Sequence, residues 1–337
     1  MLEPRTHIEH KGRRAPQIPH AMPAVAIEHF GEPDVLTEVV LPVPTIDATE
    51  VLIALDTAGV GPWDAKIRAG WYPGKKPRFP LLLGTDGAGI VAEVGSRVRR
   101  FKIGDQVYAY SWANPKGGFY AEYVAVTADK VAHVPSRLDL GHAGAIATTG
   151  LTALQGVDDA LRIKHGETLI IHGASGGVGT LAIQFAKLRG ARVLATASGI
   201  DGLELVRDMG ADEAIDARRV NIVEAARRFS NDGIDAILAL AGGDELAHAL
   251  ETLRPGGRLA YPNGVEPEPK KRRAIKFTPY DGVAGIREFQ KLNAAVEATK
   301  LKVPIAEVYP LVKAAKAHER FAEGHILGKI VLRIHDT

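Results

Sequence analysis

"HGASGGVGTLAIQFAKLRGA", residues 172–191, packs four glycines into its first eight residues and then runs on as an apolar stretch of helical spacing. A loop that wraps a pyrophosphate needs inward-pointing backbone N–H groups, room for close approach, and a helix N-terminus whose partial positive charge faces the phosphates. Residues 174–179 fit G-x-G-x-x-G with Ala174 at the first place and Gly176 and Gly179 at the other two; Gly173 and Gly177 loosen the loop further. The stretch follows the strand-like "TLIIH" and opens the helix-like "VGTLAIQFAKL", which is the context a dinucleotide fingerprint requires. Glycines also collect at ordinary turns, so the reading depends on what surrounds them. In the fingerprint reading, Ala174, Gly176, Gly177, Val178 and Gly179 form the pyrophosphate cradle.

Working outward, residues 168–261 alternate strand and helix. The strands "TLIIH", "RVLAT", "EAID", "IDAILAL" and "GRLAY" are separated by "GLELVRDM", "NIVEAARRF" and "ELAHALETL". That alternation predicts right-handed βαβ units and a doubly wound parallel sheet. Residues 24–130 instead read as short strands broken by Gly, Pro and Asp, a β-rich, barrel-like pattern. "GHAGAIATTGLTALQGV", residues 141–157, has the composition of a connecting helix. Near the end, "GIREFQKLNAAVEATK" and "YPLVKAAKAHERFAEG" read as amphipathic helices, and the strand "GKIVLRI" suits the β-rich part. Residues 1–22 show neither periodicity and read as an N-terminal extension. "EPEPKKRR", residues 266–273, reads as a solvated loop.

Composition sets outer limits. A chain of 337 residues is long enough for two domains. A formal net charge of +2 gives no reason to expect nucleic acid or an anionic membrane as partner. With no cysteine, disulfides, thiolate nucleophiles and cysteine-ligated metal sites are excluded, and the twelve histidines form no HxxxH pair. No apolar run approaches the ~20 residues that span a bilayer, so a cytoplasmic protein is expected. No metal site is expected.

The cofactor is chosen at the end of the second strand of the parallel sheet. An Asp or Glu there would bind the ribose 2′-hydroxyl of NAD, whereas "LATASG" presents the small neutral pair Ala197 and Ser198. Space for a 2′-phosphate, held by Ser198, makes NADPH the expected cofactor. Asp201 lies close by and reads as the cap of the following helix. "ALAGG", with Ala241 and Gly242, and "PNGV", with Asn263 and Gly264, end later strands at their carboxyl side, where such sheets bind ligands. These four residues are expected near the nicotinamide.

Several motifs in order resemble the medium-chain dehydrogenase/reductase superfamily and, within it, the zinc-independent quinone oxidoreductase group that includes zeta-crystallin. They are "MPAVAIEHFGEPDVL", "GTDGAGIVAEVG", "GETLIIHGASGGVGTLAIQFAK", "GIDAILALAGG", "LRPGGRLAYPNG" and "GKIVLRI". The resemblance implies a GroES-like β-barrel catalytic domain from residues 23–145 and 283–337, a Rossmann domain at 146–282, and a homodimer or homotetramer. It also implies that Gly61, and Thr85 in the triplet Gly84, Thr85, Asp86, stand where zinc-dependent members carry ligands, so zinc-polarised alcohol oxidation is not expected. The implied reaction is hydride transfer to a quinone or to the C=C bond of an α,β-unsaturated carbonyl. An NADP-dependent alcohol dehydrogenase and a non-catalytic, structural protein of the same fold are the competing readings. By resemblance, Tyr72 in "RAGWYPG" would donate to the substrate oxyanion, and Asp64 would orient the loop or contact a ligand. The Lys and Tyr that NADPH-preferring members often carry are replaced by Gly202 and Ala217, which leaves Arg218 or Arg219 to supply charge. Trp63 and Trp71 either line an aromatic-binding cleft or pack in the interior.

Overall fold

The computed structural model describes residues 18–72 and 77–335. Residues 1–17, most of the expected extension, lie outside the described residues. The chain opens with β1 (Ala21–Ile27), β2 (Thr37–Pro42), β3 (Glu50–Val60), the short helix α1 (Pro62–Arg68), β4 (Leu81–Leu82), β5 (Asp86–Val94), β6 (Gln106–Tyr110), β7 (Tyr123–Thr127) and β8 (Val131–His133). Helix α2 (Leu140–Gln155) leads into β9 (Thr168–His172), α3 (Gly177–Leu188), β10 (Arg192–Thr196), α4 (Gly199–Asp208), β11 (Glu213–Ile215), α5 (Ile222–Phe229), β12 (Ile234–Ala239), α6 (Asp244–Ala249), β13 (Leu253–Pro262) and β14 (Lys276–Tyr280). The chain closes with α7 (Ile286–Ala298), β15 (Ile305–Pro310), α8 (Ala314–Ala322) and β16 (Lys329–Arg333).

Six strands form a parallel sheet in the order β11-β10-β9-β12-β13-β14. Its central strands are covered on both faces, and accordingly every residue of β9 and of β12 is buried. The order reverses beside β9, which places the crevice for a ligand at the carboxyl end of that strand. The expected doubly wound sheet is therefore present, with β14 as a strand that the sequence pattern did not reveal.

The other sheet runs β15-β16-β3-β5-β6-β8, with β7 also pairing β3, and a smaller sheet β2-β1-β4 lies beside it. The last strand, β16, pairs antiparallel with β3, so both ends of the chain build the GroES-like domain. Helix α2 joins the two parts. Asp139 caps it by accepting the His142 N–H at 2.8 Å, and its small residues let it pack tightly on β3, β5 and β6 on one side and on α3 on the other. The boundary expected between residues 145 and 146 falls inside this continuous helix. Among the described residues, no helix is long and apolar enough to cross a membrane.

Candidate active site

A cleft of about 1060 Å³ opens between the barrel and the parallel sheet and takes its walls from both. Its floor is the glycine-rich turn. Gly173 leaves β9 at φ +78°, and its N–H donates to Thr196 Oγ1 at 3.0 Å, while the Ala174 N–H donates to Thr196 O at 2.8 Å. Gly176 is the N-cap of α3, and the first amide bonded back to it is that of Thr180, at 3.0 Å. The N–H groups of Gly177, Val178 and Gly179 therefore stand at the free helix end.

The glycines divide their work. A Cβ at Gly179 would stand 2.5–2.6 Å from the Ala174 backbone, so this glycine permits α3 to seat against its own turn. A Cβ at Gly176 would meet nothing within 4 Å, although that residue lines the cleft. This open space beside a free helix end fits a pyrophosphate. The barrel contributes a strap over the same turn: Gly328 bridges Gly176, its N–H donates to Ser175 O at 2.9 Å, and Lys329 follows it into the cleft.

Of the residues expected to bind the cofactor, Gly176, Gly177, Val178, Gly179, Ala241, Asn263 and Gly264 line the cleft. Asn263 is fixed by a 2.8 Å hydrogen bond from its Nδ2 to Asp281 Oδ2. Gly264, at φ +90°, lies against the Trp63 ring, where a Cβ would come within 2.5 Å. Ala174 is buried behind the turn, and Gly242 packs on the backbone of Glu266 and Pro267, so these two support the site and do not line it.

Ser198 is the N-cap of α4, but its Oγ lies 3.2 Å from His325 Nδ1, and His325 Nε2 is 2.9 Å from Asp201 Oδ2. Asp201 is thus not the helix cap expected of it. Its pairing with His325, aided by the Gly202 N–H, holds its carboxyl below the usual range. Arg218 is exposed at the end of β11, with its N–H on Asp216 Oδ1 at 3.1 Å.

Of the two residues expected to be catalytic, Asp64 takes the loop-orienting place that was one of its two expected roles, and Tyr72 lies away from the cleft. Asp64 is buried and does not line the cleft. Its Oδ2 accepts the Gly61 N–H at 2.8 Å and its Oδ1 the Gly84 N–H at 3.0 Å, so it ties the start of α1 to the turn before β5. Burial outweighs these bonds and the nearby Lys329 charge, and pushes its pKa up to about 6. Tyr72 packs against the barrel core and is not among the lining residues, whereas its neighbour Trp71 is.

Sequence reasoning missed Tyr110, Trp112, Asp281 and Lys329, all of which line the cleft. Tyr110 ends β6 with 9% of its surface exposed, and burial, with the charges of Asp86, Asp281 and Asp64, raises its phenol pKa and keeps it protonated. Lys329 Nζ lies 4.0 Å from the buried Asp86 Oδ1. A lysine in the apolar strand "GKIVLRI" was the one signal of it in the sequence.

The places where zinc ligands would stand hold Gly61, which has no side chain, and Thr85. Asp86 Oδ2 instead accepts the Thr148 N–H at 3.0 Å. Among the described residues, no group of three or more His, Cys, Asp or Glu side chains is arranged to hold a metal ion. This donor set does not fit a catalytic zinc.

Comparison with known proteins agrees with this architecture. Residues 47–136 match the family "Alcohol dehydrogenase GroES-like domain", and residues 209–332 match "Zinc-binding dehydrogenase". The chain is 34% identical over 329 residues to a quinone oxidoreductase of Mus musculus, covering 92% of this chain and 97% of that one. Among solved structures, it resembles an NAD-dependent alcohol dehydrogenase (TM-score 0.86, 31% identity, 93% of this chain and 100% of the other). It also resembles the Escherichia coli quinone oxidoreductase complexed with NADPH (TM-score 0.82, 25% identity, 93% and 100%). The chain belongs to the medium-chain dehydrogenase/reductase superfamily, in the quinone oxidoreductase group that includes zeta-crystallin. It is an oxidoreductase of that type, on a fold that binds NADP(H).

Proposed function

We propose that the protein is a zinc-independent, NADPH-dependent reductase of quinones or of the C=C bond of α,β-unsaturated carbonyls. The observation that carries this reading is one cleft holding an open glycine cradle and a buried, protonated Tyr110, with zinc-ligand places held by Gly61 and Thr85. The Mus musculus relative, named a quinone oxidoreductase, supports the acceptor class, and the Escherichia coli complex supports the cofactor.

When bound, NADPH supplies the hydride, which is the difficult part of the chemistry. Gly176, Gly177, Val178 and Gly179 hold the pyrophosphate at the α3 N-terminus, and Lys329 adds positive charge. Ser198, Arg218 and His325 take the 2′-phosphate, with the imidazole offsetting Asp201. Ala241, Asn263 and Gly264 bound the nicotinamide side. Tyr110 donates a hydrogen bond to the oxyanion or enolate that forms on the acceptor, in place of the Tyr72 first expected. Solvent, which reaches the open cleft, supplies the proton that completes the reduction. Asp64 is a positioning residue. A cytoplasmic setting and a homodimer or homotetramer belong to this reading through the family resemblance.

The test is an NADPH and NADH oxidation screen against quinones, 2-alkenals, enones and enoyl thioesters, with metal analysis and an ethanol oxidation assay on the same preparation. NADPH-dependent turnover of at least one acceptor class without stoichiometric zinc is expected. Stoichiometric zinc with ethanol oxidation would establish the alcohol dehydrogenase reading. Tight NADPH binding without turnover on any acceptor would favour the non-catalytic one.

A further inference from the structure

The chain has three tryptophans, and the fold brings all of them to one wall of the cleft. Trp63 lies in α1, Trp71 just beyond it, and Trp112 just beyond β6. The Trp63 ring centroid is 5.3 Å from those of Trp71 and Trp112, which are 6.3 Å from each other. The planes are tilted by 32°, 72° and 49°, so the rings form a faceted surface and not a closed stack.

Trp112 also packs on the cores at either side, but two features give the cluster more than a packing role. Trp71 is 47% exposed, and all three rings face the volume that Gly264 and Asn263 bound from the other domain. The cluster is also held from outside. Lys66 Nζ sits 5.4 Å from the Trp63 ring centroid and is anchored by Glu266 at 2.6 Å, while Gly264 presses on the ring edge. A fixed aromatic surface left open beside the expected nicotinamide position is suited to stacking on a second flat ring.

We infer that Trp63, Trp71 and Trp112 form a specificity platform that reads an aromatic ring on the acceptor, with Trp71 as its contacting face. The platform rests on the reductase reading for its ligand class. It predicts that acceptors bearing a flat ring bind more tightly than acyclic ones with the same reducible group, because the ring is seen by indole faces rather than by the oxyanion donor.

Saturated ketones test binding without turnover. The full chain, saturated with NADP+, is titrated with 4-phenylbutan-2-one and with pentan-2-one, followed by tryptophan emission excited at 295 nm and by calorimetry. Because every tryptophan lies in the cleft, emission reports occupancy directly. The phenyl ketone is expected to bind at least ~10-fold more tightly and to quench the emission. Trp71→Ala should remove most of that preference while shifting pentan-2-one affinity less than ~2-fold and leaving NADP+ affinity intact; Trp71→Phe should restore it. Equal affinities for the two ketones in the wild type, or an undiminished preference in Trp71→Ala, would overturn the platform. Failure of the acceptor screen with this preference intact would instead count against the reductase reading alone.

Discussion

At the residue scale, Tyr110 and Tyr72 make opposite predictions. Tyr110 lines the cleft with its phenol kept protonated by burial and by Asp86, Asp281 and Asp64, whereas Tyr72 packs on the barrel core. Tyr110→Phe should lower turnover ~10²-fold, as loss of one oxyanion donor does, while NADPH affinity in a fluorescence titration stays unchanged. Tyr72→Phe should leave turnover within ~2-fold; a larger loss there than at Tyr110 would return the role to Tyr72. The family resemblance favoured Tyr72, because it sets "RAGWYPG" at the active site. Tyr110 was illegible because its access to the cleft arises from β6 pairing with β5, which sets it opposite Asp86, a residue distant in sequence.

A second residue-scale prediction concerns His318, buried against Tyr120, whose hydroxyl lies 3.0 Å from its Nε2. Burial, and then the Arg68 charge, pushes its pKa down to about 3 from 6.5. The neutral form is the folded form, so its contribution to stability is complete above the unfolded pKa and is lost as pH falls toward the folded one. The loss runs at about 1.4 kcal/mol per pH unit. Asp64 has the opposite sign, since its raised pKa favours the fold below pH 4 and the advantage fades by about pH 6. Comparing wild type with His318→Gln cancels that term. In urea unfolding at pH 6, 5 and 4, the wild type should lose ~1.4 kcal/mol per unit relative to the variant, and parallel curves would show that His318 is already charged in the fold.

At the element scale, the glycine turn was the most legible part of the molecule, because a strand, a turn and a helix in sequence dictate their own geometry. What the sequence could not assign was a different task to each glycine. Gly179 faces the Ala174 backbone and Gly176 faces open space. Gly179→Ala should therefore cost ~1–3 kcal/mol in urea unfolding, the range for forced overpacking. Gly176→Ala, at φ −78°, should change stability by less than ~1 kcal/mol, the scale of an N-cap exchange. It should nonetheless weaken NADPH binding more than ~10-fold, because the methyl takes phosphate space. If both variants lose stability and neither loses affinity, the open face of Gly176 is not the phosphate site.

At the scale of the whole molecule, the change of pattern from short strands to alternating strand and helix announced two classes of domain, yet it concealed how they are joined. The run "GHAGAIATTGLTALQGV" has helical composition whichever domain owns it, and the fold gives it to both. One continuous core includes Ala88 and Tyr108 of the barrel, Ile146 and Leu151 of α2, and Leu169 and Val193 of the parallel sheet. The Gly328 strap and the Lys66–Glu266 pair add contacts across the cleft, and the cofactor cradle itself has a wall from each side. The barrel and the far face of the parallel sheet each keep an apolar core of their own, but unfolding either would strip one side from the shared core. Calorimetry should therefore show a single cooperative transition, unlike the usual behaviour of two-domain chains. NADPH at 100 times its Kd should stabilise the fold by ~2.7 kcal/mol and move that transition upward as one peak. Two transitions, of which only one responds to NADPH, would mean that α2 belongs to a single domain and that the cleft is closed by the ligand rather than by the chain.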